Sequence, residues 1–244
     1  MMLSRDNARM EQADMPDAAG RIILVCKLKG GAGATTTCRE LAVAAVAAGL
    51  QVALVDLDSQ GGLTRWWSRR TKDEGAEGMN PQLLELAADR IAAAAPQLRL
   101  RFDLTVIDSP PTVHETIRAV ASSADLALIP ARPTVDDLDA VGPIARLLRG
   151  VVDMGFVLTQ VPGGRRSRDG AEALERLAGL APVLGRTSLR LDYPRPAGAG
   201  STGFEGGGTA QVEITDLLRA ILERLDVKPR EELMTLSRDT VRTE

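Results

Sequence analysis

The sequence predicts an α/β fold, a doubly wound and mostly parallel sheet with helices on both faces, in a single domain of a 244-residue chain. Three observations predict it. Short apolar segments recur along the chain with helix-like stretches between them, the alternation expected of βαβ units. The first of these segments runs straight into a glycine-rich turn and then a helix. The next two end in acids, so their polar residues would share the carboxyl edge of the sheet, where ligands of open α/β sheets collect.

Residues 21–28 (Arg-Ile-Ile-Leu-Val-Cys-Lys-Leu) are mostly apolar and include the β-branched Ile22, Ile23 and Val25, as expected of a buried parallel strand. Residues 29–37 follow as Lys-Gly-Gly-Ala-Gly-Ala-Thr-Thr-Thr, and 35–48 read as a helix closed by Gly49. Gly30, Gly31 and Gly33 therefore lie on a strand–turn–helix. There, backbone N–H groups can approach phosphate oxygens, and the helix N-terminus adds partial positive charge. Thr35 falls where the Ser/Thr of a G-x-x-x-x-G-K-[ST] loop offers its hydroxyl to Mg²⁺. The loop departs from that pattern at the first glycine and at the lysine, whose place is taken by Ala34. Taken alone, the stretch reads equally as an ordinary glycine turn.

Two further segments favour the phosphate reading. Residues 52–62 (Val-Ala-Leu-Val-Asp-Leu-Asp-Ser-Gln-Gly-Gly) predict a strand ending in Asp56 and Asp58, and 102–111 a strand ending in Asp108. Either acid alone could simply open a turn. Their order and spacing behind a glycine loop make that coincidence harder to sustain.

The remaining elements follow the same alternation. A loop over 73–80 precedes a predicted helix over 82–95, and a strand over 125–130 precedes a helix over 136–149. Thr134 is the expected N-cap of that helix and Gly142-Pro143 its expected kink. A strand over 156–161, a turn at 162–164, a helix over 169–179 and a strand over 183–189 come next. Ile214, Leu217, Leu218, Ile221 and Leu225 form one face of a last helix. Residues 1–20 read as a disordered extension, 21–226 as the folded domain and 227–244 as a flexible tail.

Composition limits the function classes. The chain is 44% hydrophobic but only 2% aromatic, so its core is aliphatic, and a net charge of −3 excludes a globally basic nucleic-acid binder. Cys26 and Cys38, in the strand and helix flanking the loop, need no role beyond small buried hydrophobes and suit a reducing cytosol. No apolar run approaches the roughly 20 residues of a bilayer span, and residues 1–20 lack the pattern of a secretory signal.

Lys-Gly-Gly-x-Gly-x-Thr-Thr-Thr, Asp-x-Asp-Ser-Gln-Gly and Ile-Asp-Ser-Pro-Pro together resemble the ParA/MinD family of deviant Walker-type P-loop ATPases, over about residues 20–226 and closest to the ParA-type partition ATPases. The resemblance implies ATP and Mg²⁺ as cofactors, held by Gly30, Gly31, Ala32, Gly33, Ala34, Thr35 and Thr36. Lys29 matches the signature lysine, which reaches across a nucleotide-sandwiched dimer to the partner's phosphates. Asp58 matches the acid that helps position the attacking water. Thr35 matches the Mg²⁺-ligating hydroxyl and Asp108 the acid that organises Mg²⁺ through water.

Ala34 is the departure. The family's lysine here compensates charge that grows as the bond to the γ-phosphoryl breaks, and a methyl group cannot do so. By analogy with one oxyanion donor, the loss should cost roughly 3–4 kcal/mol of transition-state stabilisation. Hydrolysis is therefore expected to be impaired, by an introduced Lys→Ala change or by natural divergence. Lys27 and Lys29 are half of the chain's four lysines, against 26 arginines, and Lys27 is badly placed to substitute.

The same resemblance implies a homodimer formed with ATP, non-specific DNA binding, and a ParB-like or other small activator or adaptor protein. Arg165, Arg166, Arg168, Arg186, Arg190 and Arg195 are the candidate DNA contacts; a solvated arginine-rich surface explains them equally well. The tail is mixed in charge and short of bulky apolar residues, which disfavours membrane anchoring. Trp66-Trp67 read either as a nucleotide-responsive region near the dimer face or as a helix with one Trp packed inward. His114 reads as a surface or capping residue. The expected function is cytoplasmic DNA partition or cargo positioning, nucleoid-associated when ATP-bound. A non-hydrolysing, nucleotide-gated scaffold is the alternative, and a metabolic synthetase such as dethiobiotin synthetase fits the paired acids less well.

Overall fold

The computed structural model describes residues 19–26, 29–73, 75–110, 114–163 and 167–231. The expected extension up to residue 18, Lys27, Arg165, Arg166 and the tail beyond 231 lie outside the described residues.

The described strands are β1 (Arg21–Val25), β2 (Val52–Asp56), β3 (Gln82–Leu84), β4 (Leu104–Asp108), β5 (Leu126–Ala131), β6 (Asp153–Val161) and β7 (Val183–Ser188). They form one sheet in the order β3-β2-β4-β1-β5-β6-β7, and every neighbouring pair is parallel. The helices are α1 (Ala34–Ala47), α2 (Gly62–Arg70), α3 (Ile91–Arg101), α4 (His114–Ala121), α5 (Val135–Leu148), α6 (Arg168–Ala178) and α7 (Gly208–Leu225).

A parallel sheet must be covered on both faces, and β1 shows how side-chain alternation arranges this. Ile23 and Val25 join the cluster under α1, α2 and α7. Ile22, Leu24 and Cys26 join the cluster under α3, α4, α5 and α6. All five are fully buried, and full burial of each larger aliphatic contributes roughly 1.5–3 kcal/mol. Cys26 and Cys38 are buried in these two layers, and burial pushes the Cys26 thiol up to about 12, where it is inert.

The chain crosses β1 when it passes from β4 to β5, so β1 sits at the reversal of strand order. The crevice for ligands in such sheets lies outside the carboxyl ends of the strands at that reversal.

Helix ends follow their local signals. Gly49 N–H bonds to Val46 C=O and Leu50 N–H to Ala45 C=O, the two bonds that close a helix at glycine. Thr134 caps α5 through Asp137 N–H at a long 3.4 Å, and α5 runs unbroken through Pro143.

One element differs from expectation. Residues 82–95 are not one helix: 82–84 pair with β2 as an edge strand, 88–90 form a 3₁₀ turn, and α3 starts at Ile91. The open edge of β2 offers Gln82–Leu84 backbone partners that a helix could not use, and the alanine-rich stretch that favours helix begins only after it. Of the expected tail, residues 227–231 lie against α1: Arg230 and Glu231 N–H donate to Ala48 C=O at 3.0 and 3.2 Å.

Candidate functional site

The loop between β1 and α1 is shaped by backbone requirements. Gly31 and Gly33 adopt φ of +87° and +90°, values that side chains with a Cβ rarely tolerate. Gly33 is also the N-cap of α1 and has no side chain with which to close its first turn, and that turn carries no acid. Its N–H groups and the positive end of the helix dipole are thus directed at the loop.

The end of β6 braces the loop from one side. Thr159 Oγ1 donates to Ala32 C=O at 2.8 Å, and Gln160 Nε2 donates to Gly31 C=O at 2.6 Å. In a trans peptide, C=O and N–H point in opposite directions. These two bonds therefore turn the N–H groups of Ala32 and Gly33 away from β6. Gln160 itself holds φ at +54°, a strained conformation for a non-glycine residue and one that accumulates at functional sites. Sequence reasoning missed both braces.

On the β4 side the acids converge. Asp108 ends β4 in register with Val25 of β1 and Asp56 of β2, and it is fully buried. Thr35 Oγ1 donates to Asp108 Oδ2 at 2.6 Å. Asp56 is spent on its own turn, accepting from Asp58 N–H at 3.1 Å, Thr64 N–H at 2.9 Å and Thr64 Oγ1 at 3.0 Å. Asp58 accepts Gln60 N–H at 3.0 Å, and the turn it shapes leads into α2. There Gly62 abuts the loop: a Cβ built on it would lie 3.4 Å from Thr35 Cγ2. Three separated stretches thus meet at one rim, as expected from the sequence.

On the β5 side two cations approach the loop, each beside an acid of α5. Lys29 Nζ donates to Asp136 C=O at 3.0 Å, at the start of α5. Arg132, directly after β5, pairs with Asp137 through Nε at 2.8 Å and Nη2 at 2.9 Å. The Arg132 guanidinium bonded to Asp137 holds that carboxyl below the usual carboxylate range, and the Asp137 bond holds Arg132 more firmly protonated. Ala34 is almost fully buried and presents only a methyl group. Sequence reasoning also missed Arg132; its one signal was its place as the first residue after a strand at the carboxyl edge.

Thr35 and Asp108 supply hard oxygen donors suited to Mg²⁺, which is ordinarily bound through one or two carboxylates together with phosphates and waters. No cluster of three or more His, Cys, Asp or Glu residues that could hold a metal occurs among the described residues.

The candidate DNA contacts are only partly brought together. Arg168 opens α6 after β6, highly exposed and paired with Glu172 at 3.0 Å. Arg190 and Arg195 are exposed after the neighbouring strand β7, and Arg186 is half-buried on it. Arg168, Arg190 and Arg195 follow their strands on the sheet's carboxyl side, and Arg186 lies within β7. The segment carrying Arg190 and Arg195 is strapped to α1 and α2. Arg39 Nη2 donates to Tyr193 C=O at 2.7 Å, and Trp66 Nε1 donates to Ser201 C=O at 3.0 Å. Trp66 is fully buried and Trp67 half-buried, which fits a helix with one Trp packed inward. A cavity of about 490 Å³ between Arg219 and Pro229 is lined by none of the loop residues. No described helix is long and apolar enough to cross a membrane.

Comparison with known proteins agrees with this fold. The chain is 37% identical over 122 residues to a maintenance of carboxysome distribution protein A from Gloeobacter kilaueensis, covering 48% of the chain and 52% of that protein. It thus spans about half the length of the curated relatives it matches. Its fold superposes on the septum site-determining protein MinD of Pyrococcus horikoshii complexed with Mg-ADP. There the TM-score is 0.66 at 18% identity, covering 83% of this chain and 96% of that one. A variant of Cyanothece McdA in complex with ATP gives a TM-score of 0.64 at 19% identity, covering 86% and 98%. The profile of the CobQ/CobB/MinD/ParA nucleotide binding domain matches residues 23–197. That match takes in all three motifs and most of the sheet, and the chain belongs to this family of nucleotide-binding domains.

Proposed function

We propose that this chain is a ParA-like ATPase that positions DNA or another cargo, binding ATP with Mg²⁺ at the loop of residues 30–36. The observation that carries the reading is the Thr35–Asp108 hydrogen bond of 2.6 Å at the first turn of α1. It sets two oxygen donors beside backbone N–H groups that face away from β6. Mg²⁺ bound there would neutralise phosphate charge. Gly31, Ala32 and Gly33 would cradle phosphate oxygens, and Thr35 and Asp108 would hold the metal directly and through water. Asp58 would orient the attacking water.

Lys29 would leave Asp136 C=O and reach a second copy's phosphates, so that dimerisation follows ATP. The exposed Arg168, Arg190 and Arg195, with Arg165 and Arg166, would contact DNA phosphates without reading sequence. An activator or adaptor protein would then stimulate hydrolysis and release the dimer from the nucleoid. The resemblance to a carboxysome-distribution protein supports cargo positioning as much as plasmid partition.

Ala34 favours a second reading on the same site, a nucleotide-gated scaffold with little turnover. The deciding experiment measures ATP turnover, with DNA and candidate partners present, for this chain and for Ala34→Lys. A large gain in the lysine variant identifies an ATPase weakened by Ala34. Robust and equal turnover in both shows that another cation already serves. Absence of nucleotide binding in either chain refutes the whole reading.

A further inference from the structure

The geometry points to Arg132 as a phosphate-binding cation of the nucleotide loop, standing in for the lysine that Ala34 lacks; the inference rests on the nucleotide-binding reading above. β5 is the neighbour of β1 opposite β4, and Arg132 leaves its carboxyl end against the loop that leaves β1. A Cβ built on Gly31 would lie 3.6 Å from Arg132 Nη1. That edge of the guanidinium therefore faces the loop, at contact distance from where a side chain on Gly31 would begin.

The opposite edge is gripped. Nε and Nη2 bond the two oxygens of Asp137 at 2.8 and 2.9 Å, and the same carboxylate accepts Arg132 N–H at 3.1 Å. Asp137 is only 1% exposed and sits in the first turn of α5, so it cannot follow the arginine outward. Paired parallel bonds fix the plane of a guanidinium as well as its position, and this one is fixed with Nη1 towards Gly31.

The charge balance supports the same direction. Asp137 offsets part of the arginine's charge but lies behind it, so the pair presents its positive end to the loop. Asp136 is exposed, and its carbonyl is taken by Lys29. Lys29 and Arg132 thus place two cations on the β5 side of a loop whose position 34 has none. Arginine, always charged and suited to bidentate phosphate contact, can supply from a neighbouring strand what the loop's own side chain does not.

A brace for the start of α5 would also explain the Arg132–Asp137 pair, and the test separates the two roles. The full-length chain, Arg132→Gln, Arg132→Lys, Ala34→Lys and the Ala34→Lys/Arg132→Gln double variant are titrated with a fluorescent ATP analogue and its diphosphate counterpart in Mg²⁺. Melting curves report folding. Arg132→Gln should weaken triphosphate binding about tenfold, the loss of one charged hydrogen-bond contact, and weaken diphosphate binding less. Arg132→Lys should recover part of the loss, and Ala34→Lys should make position 132 matter less. On the unaltered chain, MgATP should protect Arg132 from phenylglyoxal, read by mass spectrometry, which holds even if Arg132→Gln misfolds. Nucleotide binding by the unaltered chain with neither protection of Arg132 nor weakening in a folded Arg132→Gln overturns this inference and leaves the nucleotide reading standing. An unaltered chain that binds no nucleotide overturns both.

Discussion

Thr35 donates its hydroxyl to Asp108 across 2.6 Å, joining the first turn of α1 to the end of β4. A hydroxyl bound this closely to a carboxylate is among the stronger protein hydrogen bonds, and the proposed function gives both oxygens to Mg²⁺. Thr35→Ala and Asp108→Asn should therefore leave a folded chain whose nucleotide affinity no longer responds to Mg²⁺. Titrations with Mg²⁺ and with a chelator check this. Equal Mg²⁺ dependence in the variants and the parent would remove these residues from the metal site.

The Arg132–Asp137 pair has a pH signature that is independent of any ligand. Because Arg132 holds the Asp137 carboxyl below its usual range, the folded chain binds fewer protons there than the unfolded chain. The pair's stabilisation is then present above the ordinary aspartate pKa of about 3.9 and is lost as pH falls through the depressed value. The stability difference between the parent and Asp137→Asn, measured by urea unfolding, should be flat near neutrality and shrink only in strong acid. A difference that shrinks between neutrality and pH 5 would place its source in another group.

Glu40 is fully buried in α1 and accepts the N–H groups of Gly203 at 2.9 Å and Phe204 at 2.8 Å. Burial pushes its carboxyl above the usual range in spite of those donors, and Arg39 lies 3.9 Å away. Glu40→Ala would strand two backbone donors and leave Arg39 without its neighbour, at a cost of about 3–5 kcal/mol. Glu40→Gln, which keeps one acceptor, should lose less. Denaturant midpoints rank the two; equal losses would mean that the N–H bonds contribute little.

The parts of this site that were legible in the sequence are those set by local necessity. Gly31 and Gly33 are required by their φ values, and Thr35, Asp58 and Asp108 follow short apolar strands or the glycine turn at recognisable spacings. Gln82–Leu84 escaped because an edge strand is decided by the neighbour it pairs with. Thr159 and Gln160 brace carbonyls of residues 127 and 129 positions away in sequence, and no local pattern encodes that contact. Arg132 reads locally as one more arginine in an arginine-rich chain; only the pairing of β5 with β1 brings it to Gly31.

The strap over residues 192–205 offers the sharpest packing test. Gly200 holds φ at +75°, and a Cβ on it would meet Arg70 N at 2.3 Å and Arg70 Cα at 2.5 Å. The same arginine donates from Nη1 to Gly200 C=O at 3.1 Å, so the glycine lies flat against the last turn of α2, and the atoms a Cβ would meet are helix backbone that has little room to yield. Gly200→Ala should cost more than the roughly 1 kcal/mol that alanine loses at an incompatible φ alone, lowering Tm by at least about 2–4 °C in a chain of this size. Gly198, two residues earlier, has no atom within 4 Å of a built Cβ, so Gly198→Ala should melt with the parent. Equal melting of both variants would show that the strap is not seated on α2, and would separate Arg190 and Arg195 from the helix that begins beside Thr35.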